Sequence, residues 1–190
     1  MLIRDIHKED LGDIIECHLE MFPDAMNTLL GVAYLRRYYH LLLQYDGSKN
    51  LAIYNAKGEF MGFIFALPNG YSSQLSAKLK WWRRAYLLLN MLKFFKKTAT
   101  ISHLFNRVRS RSFKSTSDYR LVCVAVRRNN ESLAVELEKR LMLELSKLRS
   151  KSIGLSVYVE NKRALCFYYK QGYVVEAEDR ILYRLIKHLC

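Results

Sequence analysis

Five residues near the C-terminus combine helix-boundary signals with one side chain that can transfer a proton. They follow an apolar run at 153–159 and are Asn161, Ala164, Tyr168, Gly172 and Tyr173. The side-chain oxygen of Asn161 can cap a helix that begins there, and Gly172 suits the left-handed conformation in which helices often end. The small Ala164 lets this helix pack closely on a sheet. The spacing therefore predicts a strand, a helix and a further strand that begins at Tyr173.

Tyr168 is the member of this group whose side chain can do acid–base chemistry. A tyrosine held in a site can act as a general acid, which is typically worth about 10²–10⁴ in rate. The neighbouring residues Phe167 and Tyr169 are also aromatic. A tyrosine that simply packs in the core is therefore the alternative interpretation.

The cysteines form no metal or redox motif. Cys17, Cys123, Cys166 and Cys190 are scattered and form no C-x-x-C pair, so we predict neither a metal site nor a redox dithiol. Cys123 could in principle be a nucleophile, but the sequence pairs no histidine with it. Scattered cysteines fit a reducing cytoplasm, and the N-terminus lacks an apolar run long enough for a signal peptide.

Alternating strands and helices must position these residues. A length of 190 residues suits one domain, 1–190. In the C-terminal part, apolar periodicity predicts strands at 119–126, 153–159, 173–175 and 181–185 and helices at 131–149 and 161–171. In the N-terminal part it predicts a strand at 1–6, helices at 11–21 and 33–44, and a hairpin of strands 51–54 and 60–67. The second hairpin strand is apolar on both faces, which is typical of a central strand. The pattern predicts an α/β (α+β) fold with helices on the faces of a mixed sheet.

The segment 155–173 resembles the second conserved block of the GCN5-related N-acetyltransferase (GNAT) family. That block is a strand followed by Asn-x-x-Ala-x-x-x-Tyr-x-x-x-Gly-aromatic, and all five fixed positions are filled here. The resemblance implies the GNAT fold, whose mostly antiparallel sheet splays into a V between the fourth and fifth strands. It also implies acetyl-CoA as cosubstrate, direct attack by a neutral amine, and Tyr168 as the acid that protonates the departing thiolate.

The coenzyme loop of the family, Gln/Arg-x-x-Gly-x-Gly/Ala, corresponds here to 124–134. Alignment on the following leucine stripe puts Asn129 in the Gln/Arg place, Ser132 on the first glycine and Ala134 on the second. The resemblance then implies coenzyme contacts from one strand, one loop and the second helix cap, namely Val124, Ala125, Val126, Asn129, Asn130, Glu131, Ser132, Leu133, Ala134 and Asn161.

Two positions of this loop depart from the family pattern. Asn129 and Ser132 replace the expected residues, and a side chain at 132 hinders close approach of the backbone to a ligand. Glu131 adds a negative charge near a pyrophosphate, which we expect Arg127 and Arg128 to offset. An ungapped alignment would place Ala134 and Glu136 on the glycines, and an ordinary Asn-capped helix is the structural alternative.

Two N-terminal segments, His18-Leu-Glu-Met-Phe-Pro23 and Leu30-Gly-Val-Ala-Tyr-Leu-Arg-Arg-Tyr-Tyr39, resemble a GNAT subgroup found in bacterial surface-polysaccharide biosynthesis. In the family fold the first two helices wall the acceptor pocket, so His18, Glu20 and Asp24 are candidate acceptor contacts. For His18 the alternative is a histidine that simply packs in the core. We assign no general base, because the proton of the attacking amine can leave through water. We expect an amino sugar or other small amine as acceptor. A protein acceptor and a non-catalytic GNAT-fold binding module are the alternatives, and a homodimer is compatible with the family.

A basic insertion at 70–117 separates two strands of the predicted sheet. Eleven Lys and Arg residues and no acidic residue lie between Tyr71 and Ser117, against a net charge of +13 for the chain. The pattern favours contact of 75–114 with an anionic membrane or an anionic acceptor. We expect a cytoplasmic protein that can bind peripherally to the inner face of the membrane. A solvated face, or a Leu/Trp stripe that covers the core or an oligomer interface, are the alternatives. The segment has no nucleic-acid-binding motif, so we expect no specific nucleic acid partner.

Overall fold

The computed structural model describes residues 1–89, 115–127 and 130–189. Within these residues the chain forms a mixed sheet of seven strands in the order β1-β2-β3-β4-β5-β7-β6. The strands are β1 Leu2–Asp5, β2 Lys49–Tyr54, β3 Phe60–Pro68, β4 Tyr119–Val126, β5 Ser152–Tyr158, β6 Val174–Glu178 and β7 Leu182–His188. Every strand predicted from the sequence is present, with ends shifted by a few residues.

Helices lie on both faces of this sheet. They are α1 Leu11–Met21, α2 Met26–Leu29, α3 Val32–Leu43, α4 Tyr71–Leu89, α5 Glu131–Lys147 and α6 Lys162–Lys170. A single 3₁₀ turn, Lys8–Asp10, precedes α1. The helix α2 was not predicted, because a single helical turn offers no repeat of apolar positions.

Two hydrophobic clusters divide the helices between the faces of the sheet. One cluster contains residues of α1, α3 and α4, and the other contains residues of α5 and α6. Strand β3 contributes to both, since Phe63 and Phe65 pack in the first cluster while Ile64 packs in the second. This alternation follows the two-residue period of a strand. The prediction that 60–67 is a central strand is confirmed.

The sheet opens between β4 and β5, which we call the fork. Strand β4 pairs along its length with β3, and β5 pairs along its length with β7, both antiparallel. Between β4 and β5, however, only two parallel residue pairs form, Tyr119↔Ile153 and Arg120↔Gly154. The V-shaped splay that the resemblance implies is therefore present.

A bulge in β4 explains why the two strands part at this point. The register against β3 passes from Leu121 to Cys123, which leaves Val122 as the extra residue. A bulge bends its strand and increases the local twist. Val122 lies two residues beyond Arg120, the last residue of β4 that pairs with β5. The bend therefore turns the remainder of β4 away from β5.

The apolar stripe of the basic insertion packs against the rest of the protein. On α4, Leu75 and Leu79 are buried in the first cluster, and Tyr86 meets Tyr34 of α3 edge-on, with ring centroids 5.9 Å apart. The stripe is thus packed on the core, which is one of the alternatives predicted for it. The part of the insertion at 90–114 lies outside the described residues. Within the described ranges, none of the helices combines the length and apolar character needed to span a bilayer.

Candidate active site at the fork

The fork exposes one backbone edge of β4. Val124, Ala125 and Val126 pair with β3 on one side, through the register Ile64↔Val124 to Gly62↔Val126. On their other side no strand of the described structure pairs with them, because β5 has already diverged. An extended ligand can add to such an edge as if it were a strand. The predicted strand residues therefore lie where a narrow linear group can bind.

The N-terminus of α5 lies just beyond the end of β4. Asn130 is its N-cap, and the Asn130 carbonyl accepts hydrogen bonds from the amides of Leu133 (3.2 Å) and Ala134 (3.4 Å). The amides of Glu131 and Ser132 come before these bonds, and first-turn amides have no acceptor within their own helix. They can therefore bind an anion, whereas those of Leu133 and Ala134 are already used by the helix.

The serine that replaces a family glycine is turned back onto the cap. Ser132 Oγ donates to Oδ1 of Asn130 at 2.7 Å, and the Asn130 side chain makes no capping bond to the backbone. Asn130 therefore occupies the N-cap position, but its side chain does not make the hydrogen bond that usually caps a helix. Asn129, the other departure from the family pattern, lies outside the described residues.

The charges around this helix end differ from those predicted. Arg127 does not offset Glu131, because it forms ion pairs with Glu16 and, at 3.7 Å, with Glu20 of α1. Lys170 of α6 pairs with Glu131 instead, at 3.4 Å. Sequence spacing could not show this, since Arg127 and Glu16 are more than a hundred residues apart. Arg128 lies outside the described residues.

Tyr168 is buried on α6, beside the fork. Asn161 accepts a hydrogen bond from the Ala164 amide at 3.1 Å, as predicted for an N-cap, and Gly172 has a φ of +85° at the end of the helix. This helix presents Tyr168 edge-on to Tyr173, with ring centroids 5.3 Å apart. Because the side-chain oxygen of Asn161 already caps the helix, its side-chain amide nitrogen is available for contact with a ligand.

The phenol of Tyr168 stays protonated at neutral pH. Burial is the main factor that raises its pKa above the usual value, and the nearby Cys123 of β4 and Glu138 of α5 raise the pKa further. Tyr168 packs in the same hydrophobic cluster as Val124 and Val126 of β4. A protonated phenol at this position can donate a hydrogen bond or a proton to a group held in the fork.

A buried line of three side chains connects α1, α3 and β4. His18 Nδ1 lies 2.6 Å from the hydroxyl of Tyr39, and this hydroxyl lies 3.7 Å from Sγ of Cys123. Among the described residues, His18 Nε2 is buried with no hydrogen-bond partner. The sequence paired no histidine with Cys123, and it placed Tyr39 only within the predicted helix 33–44. Tyr39 was missed because the residues it joins lie on three separate elements.

The pKa values along this line keep all three groups neutral. Burial lowers the pKa of His18 to about 4 and raises the pKa of Cys123 to about 12. It also raises the pKa of Tyr39 well above its usual value. A thiol with such a pKa is a poor nucleophile because the reactive form is the thiolate. Cys123 is therefore poorly suited to act as a nucleophile.

The three candidate acceptor contacts have different environments. His18 is a core residue, with a relative exposure of 4%. Glu20 is half-exposed and lies near Arg127, and Asp24 is an exposed residue between α1 and α2. Across residues 1–89, 115–127 and 130–189, no three His, Cys, Asp or Glu side chains are grouped so that they could hold a metal ion.

Several solved structures that are similar to this chain are named as N-acetyltransferases. A mutant form of the spermidine/spermine N-acetyltransferase SpeG from Vibrio cholerae matches with a TM-score of 0.60 and 14% identity, over 99% of this chain and 93% of that one. An aminoglycoside 6'-acetyltransferase of type Ii matches with a TM-score of 0.62 and 13% identity, over 100% and 98% of the two chains. The ribosomal-protein-S18-alanine N-acetyltransferase from Escherichia coli matches with a TM-score of 0.62 and 11% identity, over 99% and 93%.

These similarities establish the fold. No family model and no curated protein sequence matches the chain. At identities of 11–14%, these similarities show a shared architecture but do not identify the substrate. The chain has the GNAT fold, as the motif at 155–173 implied.

Proposed function

We propose that the chain is an acetyl-CoA-dependent N-acetyltransferase that moves the acetyl group directly to an amine. The observation that carries the proposal is the fork, where β4–β5 pairing stops at Arg120↔Gly154. The stop leaves the backbone at 124–126 free on one side, with the buried Tyr168 close by. Known N-acetyltransferases that share the fold add support, since each is similar to this chain over nearly its whole length.

The proposed coenzyme site uses backbone groups more than side chains. The pantetheine arm would lie along Val124–Val126 as an added strand. Its pyrophosphate would accept hydrogen bonds from the amides of Glu131 and Ser132 at the start of α5. Lys170 supports this placement because it neutralises Glu131, the acidic residue closest to those amides.

In the proposed reaction a neutral amine attacks the thioester carbonyl while backbone amides of β4 polarise its oxygen. The C–N bond forms and the C–S bond breaks, and the electron pair of the C–S bond leaves with sulfur. Tyr168 gives its phenolic proton to that thiolate, and the proton lost by the amine passes to water. The tyrosinate then takes a proton from solvent, which restores the phenol for the next turnover. Burial keeps Tyr168 protonated at neutral pH, so its phenol is available as a hydrogen-bond donor to the sulfur.

The proposed acceptor is a small molecule with a primary amine, such as an amino sugar. The similar structures are named for polyamine, aminoglycoside and protein acceptors, so the fold accommodates all three classes. Helix α1 contacts β4, and its carboxylates Glu16 and Glu20 pair with Arg127 just beyond the end of that strand, so a cationic acceptor on that side would compete with Arg127 for them. A peptide amine is the second candidate, favoured by the open geometry of the fork.

Calorimetry with acetyl-CoA and a coupled assay for free thiol test this proposal together. We expect micromolar acetyl-CoA binding and release of free CoA only when an acceptor from a panel of amino sugars, polyamines and peptides is present. Binding without turnover across the panel would favour a GNAT-fold binding module. The absence of any heat or thermal shift with acetyl-CoA would overturn the proposal.

A further inference from the structure

The outer side of α4, together with one residue of α3, forms a surface that we call the basic face. It consists of Arg37, Lys80, Trp81, Arg83 and Arg84, all exposed. The helices are joined where the guanidinium of Arg37 lies 5.4 Å from the ring centroid of Trp82. Because Leu75 and Leu79 turn inward to the core, the remaining side of α4 faces outward.

The charge of this face is uncompensated. Helices α3 and α4 contain no acidic residue. Among the described residues, none of the four cations of the basic face has a carboxylate partner within 4.0 Å. Some exposed cations elsewhere in the described structure do have such partners, namely Lys139, Arg140 and Lys147 of α5. The basic face therefore presents a net charge of four to its surroundings, which attracts an anionic surface.

Trp81 distinguishes a lipid surface from other polyanions. Its side chain is 74% exposed, more than any other large hydrophobic side chain in the described part of the chain. An indole is stable at a membrane–water interface because its ring enters the apolar zone while its N–H remains near polar groups. A tryptophan flanked by Lys80 and Arg84 combines this property with attraction to anionic headgroups.

We infer that the basic face docks the protein onto an anionic lipid bilayer. The cations contact the headgroups, and Trp81 inserts its ring among them. The apolar stripe of α4 stays packed on α3, so the helix lies on the membrane as a folded part of the protein. This docking is independent of acetyl transfer, and its test requires no activity.

Vesicle co-sedimentation with a charge-removing variant tests the proposal. The protein is mixed with phosphatidylcholine vesicles that contain or lack phosphatidylglycerol. We expect capture only by the anionic vesicles and release at about 1 M salt, where the Debye length falls to about 3 Å. Replacement of Lys80, Arg83 and Arg84 by Gln should weaken partitioning on the order of a hundredfold, since each basic residue contributes about 1 kcal/mol.

A matched variant controls for net charge. Lys57, Lys151 and Lys162 are exposed and lie on other elements or loops, so replacing all three by Gln removes the same charge from elsewhere. We expect this variant to bind anionic vesicles like the unmodified protein. Equal weakening of the two triple variants would overturn the docking surface, because the attraction would then depend on net charge alone.

The two tryptophans of the chain provide a positional test. Trp82→Phe leaves Trp81 as the sole indole, and Trp81→Phe leaves Trp82, which stacks on Tyr86. With brominated lipids in anionic vesicles, we expect strong quenching and a blue shift for Trp81 and a weaker response for Trp82. Equal or reversed quenching would contradict the orientation.

Two other occupants would be recognised by their own results. Binding to RNA with no capture by anionic vesicles would assign the face to nucleic acid. Self-association that is lost in the Lys80, Arg83 and Arg84 variant, again without capture by vesicles, would assign it to a second copy of the chain. Either result overturns the lipid assignment.

Discussion

Arg120 and Gly154 form the last residue pair between β4 and β5, and the guanidinium of Arg120 lies where a side chain at position 154 would project. A Cβ atom added to Gly154 would come within 3.0 Å of Arg120 Nη1 and within 2.7 Å of Ser117 Oγ. Nη2 of the same guanidinium donates to Ser156 Oγ at 2.8 Å. The glycine thus gives Arg120 the space to bridge both strands at the point where the fork begins.

We expect Gly154→Ala to destabilise the protein. The methyl group would displace Arg120 and its serine neighbours, and overpacking of this kind typically costs about 1–3 kcal/mol. Urea unfolding measures the change. Gly12→Ala is the matched control, since a Cβ atom at Gly12 meets nothing within 4 Å and alanine within a helix stabilises by about 0.5–1 kcal/mol. Wild-type stability for Gly154→Ala would contradict the bridging role of Arg120.

Tyr168→Phe should lower turnover far more than coenzyme affinity. Loss of a positioned general acid typically reduces the rate about 10²–10⁴-fold, while the buried ring and its packing on Tyr173 remain. The kcat is measured by CoA release and the acetyl-CoA Kd by calorimetry. Tyr169→Phe is the control, because Tyr169 is the next residue of the same helix and is 45% exposed. An unchanged kcat for Tyr168→Phe would remove the proposed acid.

Ser132→Gly should tighten acetyl-CoA binding. The change removes the side chain from the first turn of α5 and restores the close backbone approach that glycine allows. We expect a gain on the order of 1 kcal/mol, about fivefold in Kd, from better hydrogen bonds to phosphate. Ser146→Gly, at an exposed position near the other end of α5, controls for loss of helix propensity. Unchanged Kd values would place the pyrophosphate elsewhere.

His18 should make the stability of the protein depend on pH below neutrality. Burial lowers its pKa from 6.5 to about 4, so between these values the unfolded chain binds more protons than the folded one. The contribution of His18 to the free energy of unfolding is therefore fully present above about pH 6.5. It falls as the pH drops toward 4, by about 2–3 kcal/mol. Urea unfolding of the wild type and His18→Gln over this range measures the effect.

The His18→Gln variant should lose this part of the pH dependence. Its free energy of unfolding at pH 7.5 and above, compared with that of the wild type, measures any packing cost separately. His188→Gln, at an exposed histidine of β7, should behave like the wild type. If the wild type and His18→Gln lose stability in parallel on acidification, His18 is accessible to protons in the folded state.

The elements of the fold were predictable from the sequence because their causes are local. The cap at Asn161, the left-handed Gly172 and the leucine period of α5 each depend on residues within a few positions of one another. Hydrogen bonding and burial over one or two helical turns suffice to decide such features. The motif from Asn161 to Tyr173 also placed Tyr168 on the correct helix, and its spacing led to the GNAT fold.

Only the tertiary structure decided which distant residues meet. The pairing of Arg127 with Glu16, the line from His18 through Tyr39 to Cys123, and the burial of Leu79 against α3 all join separate elements. Charge and apolar character show that a residue needs a partner, but not which partner the packing supplies. The point at which the fork opens belongs to the same class, because it depends on the bulge at Val122 and on strands that meet only after the whole sheet has assembled.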